Sequence, residues 1–441
     1  MYIQKILSSK KAPKMPSLQE QGLEFDLLIS DLVSKEMRDS VIASLYPALC
    51  ALARNTRFIY LSNATMEICG MLGCLVGSSG IGKGELTRLS KIVTRRLKEH
   101  DDETLKKYLA YQKVYEKQKG TNKTKKEAPD LYYLAPPSNI TGPAFTKNAM
   151  ACEKAGNYTF YVNIPEIEML NSLCGGHKRM TETVRGIFDM EQVGALRATA
   201  DGVTGNPTLR VNINASTTPG QARKFFRNDM HNGTWNRFLF IYKEQGERSG
   251  KIPVQGTLDD EKRQQIDEYL KRLSAYEGTH RIEELDKVIA HISNDMAVYS
   301  NLTDDDEFFS LSHRSLIIGY KAGCCLWLLN DCRWTPAIGK HVEWLIAYDL
   351  WSKYQVFSDK IYENEFTAID DSAKTGPKNL LDNMPKDTFS LQEFELMCQQ
   401  VQTKTDAKGL LKNYKKRHYI DYSAQTGIYT KTAKYLKMIG R

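Results

Sequence analysis

Residues 76–85 read VGSSGIGKGE, and no other stretch restricts the fold as tightly. Gly77 is followed by four residues, then Gly82 and Lys83, which is the spacing of a phosphate-binding loop. Such a loop works between a strand and a helix, where successive backbone N–H groups converge on an anion at the helix N-terminus. Both flanks comply. Residues 68–76 (ICGMLGCLV) are an apolar run suited to a buried strand, and residues 85–97 carry helical periodicity. The expected nucleotide site is Gly77, Ser78, Ser79, Gly80, Ile81, Gly82, Lys83, Gly84 and Glu85, with Lys83 reaching the β and γ phosphates of ATP. Gly84 breaks the pattern: Ser or Thr at this position supplies a hydroxyl to Mg²⁺. Thr87, three residues on, is most of a helical turn away.

A second segment supplies acids. Residues 160–170 read FYVNIPEIEML, a hydrophobic strand ending in carboxylates. A metal-holding Asp followed by a water-polarising Glu is the usual pair at such a strand end. Pro165 stands in the first place and Glu166 in the second, with Glu168 two residues on. Further strands are expected at 158–164, 209–215 and 237–242, the last after a turn at Asn232 and Gly233. Mixed with helical stretches at 22–55 and 259–358, they imply an α/β core. Within the latter stretch, 311–329 and 338–356 are the strongest helices. Residues 98–130 form a charged insert, expected as a surface helix followed by a polar loop. Residues 372–378 (SAKTGPK) read as a linker. Beyond it come two helical patterns and a hairpin with its turn near 425–427, a succession that resembles a winged helix-turn-helix.

Charge placement narrows the partners. The chain is +8 overall, and residues 402–441 hold ten Lys/Arg against two acids, a surplus equal to that of the whole chain. A basic end of this kind points to a polyanion such as DNA. Lys408, Lys412, Lys415, Lys416 and Arg417 on the second helix, and Lys431 on the hairpin, are the expected phosphate contacts. The nine cysteines show no C-x-x-C spacing, which points to reduced thiols in a cytoplasmic protein. The apolar run at 68–76 is too short to span a bilayer, and the N-terminus lacks a signal-peptide core. The eight histidines have no paired spacing, so no metal site is expected from them.

The order of further motifs resembles the minichromosome maintenance (MCM) helicases and the MCM-like primase/helicase proteins of phages and mobile elements. Met190-Glu191-Gln192, Ala200-Asp201-Gly202-Val203, Thr208-Leu209, Pro219 and Asn236-Arg237-Phe238 follow one another as in that family's ATPase core. The resemblance covers roughly residues 60–355. It implies a P-loop AAA+ three-layer core at 60–245, a helical N-terminal segment at 1–59, a helical lid at 246–370 and a winged helix at 380–441. It implies a homo-oligomeric ring, such as a hexamer, that hydrolyses ATP and acts on DNA with other replication or mobilisation proteins. Lys83 would bind phosphate and Glu166 activate water. Thr217, Thr218 or Asn214 would be the polar sensor, Arg237 an arginine finger for a neighbour's site, and Arg314 the lid-domain sensor. The turn at 201–207 would face a central channel, with Arg197 and Arg210 on its arms in place of the family's lysine. Gly84 and Pro165 leave a second reading open, an ATP-binding but hydrolysis-poor initiator or adaptor. A transcriptional regulator working through the C-terminal unit is a third.

Overall fold

A computed structural model describes residues 6–61, 64–118, 131–194, 203–230, 233–245, 253–361, 380–381, 384, 386–400 and 406–438. The fold is mixed α/β. The chain divides into a larger unit, Lys11–Ala290 with Arg314–Val356, and a smaller one, Met1–Lys10, His291–His313 and Phe357–Arg441. The larger unit takes in residues 11–59 of the expected N-terminal segment, all of 60–245 and much of 246–370. The 372–378 linker lies outside the described residues.

In the larger unit, β1 (Asn55–Ile59) pairs antiparallel with β2 (Thr65–Glu67). The central sheet holds β3 (Leu72–Gly77), β4 (Phe160–Ile164), β5 (Val211–Thr217) and β6 (Phe238–Lys243), in the order β4-β5-β3-β6. All its pairs are parallel, and strands covered on both faces read as continuous apolar runs. A short β7 (Glu277–His280) joins the other side of β1. The expected strand at 68–76 starts later because Gly70 takes a left-handed backbone, φ 75°, which breaks the extended run. The strand expected at 209–215 is shifted by two residues, which places Thr217 at its carboxyl end. The helix after the glycine-rich loop covers Gly84–Val93, and a separate helix, Arg95–Gln118, forms the start of the charged insert. Residues 119–130 lie outside the described residues.

The open edge of β6 is closed by side chains rather than by another strand. Its Phe240 and Tyr242 N–H groups donate to Asp349 Oδ1 and Ser352 Oγ, each at 2.8 Å, from the helix Pro336–Ile361. An uncovered strand edge leaves such donors unpaired. Asp349 also accepts from Lys353 Nζ at 2.7 Å and Ser315 Oγ at 2.6 Å, all buried. Burial pushes the Asp349 carboxyl up and the Lys353 ammonium down, each against the pull of its partner.

A second buried polar group joins the N-terminal helices to the same long helix. Tyr46 Oη donates to Asp26 Oδ2 at 3.1 Å, and His341 Nε2 lies 3.4 Å from the same oxygen. Burial raises Asp26 to about 7 and lowers His341 to about 3. Both are therefore neutral in the folded protein between these values, whereas the unfolded chain ionises Asp near 3.8 and His near 6.5. From about pH 4 to 6.5 folding takes up one proton at Asp26 and releases one at His341, so their slopes cancel. Asp26→Asn removes the first term. Its stabilisation should grow from pH 4 to 7 and then level off, being about 3 kcal/mol larger at pH 8 than at pH 5. Urea unfolding at the two pH values reads the difference, and equal gains would refute the neutral pair.

The smaller unit has β8 (Thr388–Ser390), β9 (Ile420–Ser423) and β10 (Ile428–Lys431) in the antiparallel order β8-β10-β9. Between β8 and β9 run the helices Leu391–Gln400 and Ala407–Lys416. Ser390 and Glu393 cap the first reciprocally: the Ser390 N–H donates to Glu393 Oε2 at 2.7 Å and the Glu393 N–H to Ser390 Oγ at 3.2 Å. Phe389, Phe394, Leu410, Leu411, Tyr414, Ile420 and Tyr435 fill the core. Gly427, at φ 68°, turns the β9–β10 hairpin where the sequence expected it.

Candidate functional site

The loop leaves the carboxyl end of β3 at Gly77. Gly80 and Gly82 take left-handed backbone, φ 77° and 104°, which a side chain would strain. Lys83 closes the loop on itself, its Nζ donating to Gly77 O at 2.6 Å and Ser78 O at 3.0 Å. Burial pushes its ammonium below the usual lysine range, against the attraction of Glu166. The lysine thus sits across the mouth of the loop, where it can exchange two carbonyls for phosphate oxygens. Ser78 is half-buried and Ser79 exposed.

Glu85 does not face this mouth. It is buried, with Oε2 accepting the Ser34 N–H at 2.8 Å and Oε1 the Ser34 hydroxyl at 2.5 Å. It ties the start of the helix to the 31–37 turn, whose Met37 lies over Gly82. Glu85 is a structural tether rather than a phosphate ligand.

Glu166 follows β4, exposed, and Pro165 is pinned by Ser216 Oγ, which donates to its carbonyl at 2.7 Å. Strand order puts β5 between β3 and β4, so its carboxyl end lies between loop and acid. Asn214, Thr217 and Thr218 are thereby told apart. Asn214 pairs with Gly73 and Asn163, well back from the sheet end. Thr218 Oγ1 caps the helix Pro219–Phe225 by accepting from the Gln221 N–H. Thr217, beside Val76, has a buried hydroxyl with no hydrogen-bond partner among the described residues, as has the Asn214 amide, so it is position at the sheet end that sets Thr217 apart. A buried hydroxyl without a partner carries a cost that a ligand oxygen or water would remove.

The two arginines meet elsewhere. Arg237 directly precedes β6, whose first residue pairs with Leu72 and whose last pairs with Gly77. At about 3.3 Å per residue, Arg237 is about 17 Å from the chain's own loop, at the opposite end of the sheet. It is only 8 % exposed. Its Nη2 and Nε donate to Asp189 Oδ2 at 2.6 and 3.1 Å, and Arg314 Nη1 donates to Asp189 Oδ1 at 3.2 Å. Both guanidinium groups and the Lys321 ammonium lie over the Phe188 ring, 5.0–5.8 Å from its centroid. Three cations thus gather at Phe188, two of them on the Asp189 carboxylate and Lys321 on the Cys69 and Phe188 carbonyls. Burial, then the charge of Arg237, lowers Arg314 despite the attraction of Asp189. Asp189 was not picked out by sequence reasoning, although it directly precedes the Met190-Glu191-Gln192 motif.

The expected DNA contacts divide. Lys408, Lys412, Lys415 and Lys416 are exposed on the helix Ala407–Lys416, opposite its buried Leu410, Leu411 and Tyr414. Lys431 is a correction: it is 4 % exposed, and its Nζ donates to Met384 O at 3.1 Å, so it serves the fold rather than phosphates. Arg417 is drawn inward too, donating to Asn301 O at 2.8 Å and pairing with Asp304. Arg210 is held by Glu67 at 2.9 and 3.2 Å and faces Glu153, so it is neutralised within the chain. Arg197 and the first part of the 201–207 turn lie outside the described residues.

The donors fit a triphosphate but not its metal. The strand-to-helix loop, Lys83 and the unpaired Thr217 hydroxyl suit ATP. Gly84 and Pro165 lack the two oxygens that would hold Mg²⁺. Among the described residues no cluster of His, Cys, Asp and Glu could hold a metal, and no helix is long and apolar enough to cross a membrane. No protein-family model matches the chain, and no curated protein matches it.

Proposed function

We propose that the chain is an ATP-binding P-loop protein of the AAA+ type, similar to the MCM-like helicases of mobile genetic elements. It assembles as a ring and acts on DNA in replication or mobilisation. The observation that carries this reading is the placement of charges on the parallel sheet. The loop with Lys83, the acid Glu166 and the unpaired Thr217 hydroxyl share the carboxyl end, where open α/β sheets bind ligands. Arg237 is about 17 Å away along the sheet, and Arg314 shares its Asp189 partner. They cannot serve their own loop; in a head-to-tail ring they serve a neighbour's by exchanging the Asp189 carboxylate for phosphate oxygens. In that ring Lys83 holds phosphate, Glu166 polarises water, Thr217 orients it, and the two guanidinium groups offset phosphoryl charge. The C-terminal unit, with the succession of a winged helix, supplies phosphate contacts through Lys408, Lys412, Lys415 and Lys416. Other replication or mobilisation proteins of the element, in the cytoplasm, complete the setting.

Gly84 and Pro165 favour a second reading, an ATP-binding initiator or adaptor with little turnover. Steady-state ATP hydrolysis with and without DNA separates the two. DNA-stimulated turnover that drops at least about 100-fold in Glu166→Gln supports the motor. Turnover unaffected by Glu166→Gln removes Glu166 from the chemistry. ATP binding with negligible turnover assigns the platform role.

A further inference from the structure

Asp189 stands where a helix does not favour an acid. It is the last residue of the helix His177–Asp189, and Met190, at φ 58°, ends the turn in left-handed backbone. The carbonyl end of a helix repels a carboxylate and attracts cations, yet the last turn here holds no basic residue. Two guanidinium groups from other elements keep the carboxylate in place. They approach different oxygens, Arg314 Nη1 donating to Oδ1 at 3.2 Å and Arg237 Nη2 to Oδ2 at 2.6 Å.

Charge at this place is not balanced. Arg237, Arg314 and Lys321 converge on the Phe188 ring, and one carboxylate answers both guanidinium groups. Burial lowers Arg314 and Lys321 alike, and the pull of Asp189 on each does not offset it. A carboxylate offers one charge and two oxygens. A phosphoryl group offers about two charges and three oxygens, in the geometry that paired guanidinium forks bind best. The cluster is also open. The Arg314 side chain is 30 % exposed and that of Asp189 27 %, over a floor of buried Phe188. An anion can reach the guanidinium groups from the side that these two expose. Asp189, at a helix end, can turn into water as the anion enters.

We infer that Arg237 and Arg314 form a phosphate-class anion site in which Asp189 is a built-in competitor, and that this competition sets the threshold for assembly. The inference rests on the proposed ring for one source of the anion, the triphosphate on a neighbour's loop. A free polyphosphate is the other source. Until either arrives, the guanidinium groups stay paired within their own chain.

The test uses the full chain, with tripolyphosphate as the probe and calorimetric titration as the readout. Lys83→Ala disables the loop and leaves the second site to be read. Adding Asp189→Asn, which keeps the size of the side chain but not its charge, should tighten tripolyphosphate binding at least about tenfold, and Arg314→Gln should reverse the gain. Oligomer mass against chain concentration tells the sources apart. With Lys83 intact and ATP present, Asp189→Asn should assemble at a concentration at least about tenfold lower than the parent. Tighter tripolyphosphate binding with assembly unchanged keeps the anion site and assigns it a free anion. A parent that never assembles in ATP removes the ring, and the tripolyphosphate arm still decides the site. Tripolyphosphate affinity unchanged or weakened by Asp189→Asn, at unchanged Tm, overturns the inference, because Asp189 then only positions the arginines. Where Asp189→Asn lowers Tm, the Lys83→Ala chain decides alone. Arg314→Gln should weaken its tripolyphosphate binding at least about tenfold, and equal binding overturns the inference.

Discussion

Asp349→Ala is expected to cost about 3–5 kcal/mol, because it leaves Lys353 charged and buried without its partner. The carboxylate has three donors to lose: Phe240 N–H, Ser315 Oγ, and Lys353, which itself also donates to Ser315 Oγ and to Asn236 O at 3.1 Å. Replacing the pair by apolar residues, Asp349→Leu with Lys353→Met, should recover the charge cost. It should retain about 1–3 kcal/mol for the unpaired Phe240 N–H at the sheet edge. Because Asn236 adjoins Arg237, loosening Lys353 also loosens the segment that carries that arginine. Urea unfolding of the two variants measures both parts. A single variant within 1 kcal/mol of the parent would mean that the pair is not buried as described.

Gly84→Thr with Pro165→Asp is expected to raise Mg²⁺-dependent ATP turnover at least about tenfold. The backbone permits it. A Cβ on Gly84 meets nothing within 4 Å, and its φ is not left-handed. Pro165 is exposed, and what holds it is its carbonyl, which Asp retains. The missing oxygens are therefore a matter of chemistry, not of space. Turnover unchanged in the double variant, with ATP still bound, would move the deficiency elsewhere in the site.

How much of this was legible in the sequence depends on distance along the chain. The strand, glycine-rich turn and helix at 72–93 were readable because the spacing and the flanks are local, and the place of Glu166 because it follows an apolar run. The three strands at 158–164, 209–215 and 237–242 were found to within two residues, since burial on both faces makes each a continuous apolar stretch. The partners of the arginines were not readable. Asp189 lies 48 residues from Arg237 and 125 from Arg314. Glu67 lies 143 residues from Arg210. Each arginine looks free in the sequence and is bound in the fold. Lys431 misled for a different reason: a lysine on a hairpin strand is ordinarily solvated, yet here its ammonium reaches an inward carbonyl. Glu85 likewise belongs to the loop by position and to Ser34 by geometry. Charge counting located the basic C-terminal helix correctly but could not separate its outward lysines from Arg417 and Lys431.

Equilibrium binding of ATP in EDTA, comparing the parent with Lys83→Ala, tests most directly whether a triphosphate is held by this loop. Lys83 supplies a charged contact to phosphate, and its loss is expected to weaken binding on the order of 100-fold with Tm little changed. Because Gly84 and Pro165 contribute no metal ligand, binding by the parent should persist without Mg²⁺. ATP bound equally by parent and variant, or not bound by the parent at all with or without Mg²⁺, would contradict the assignment.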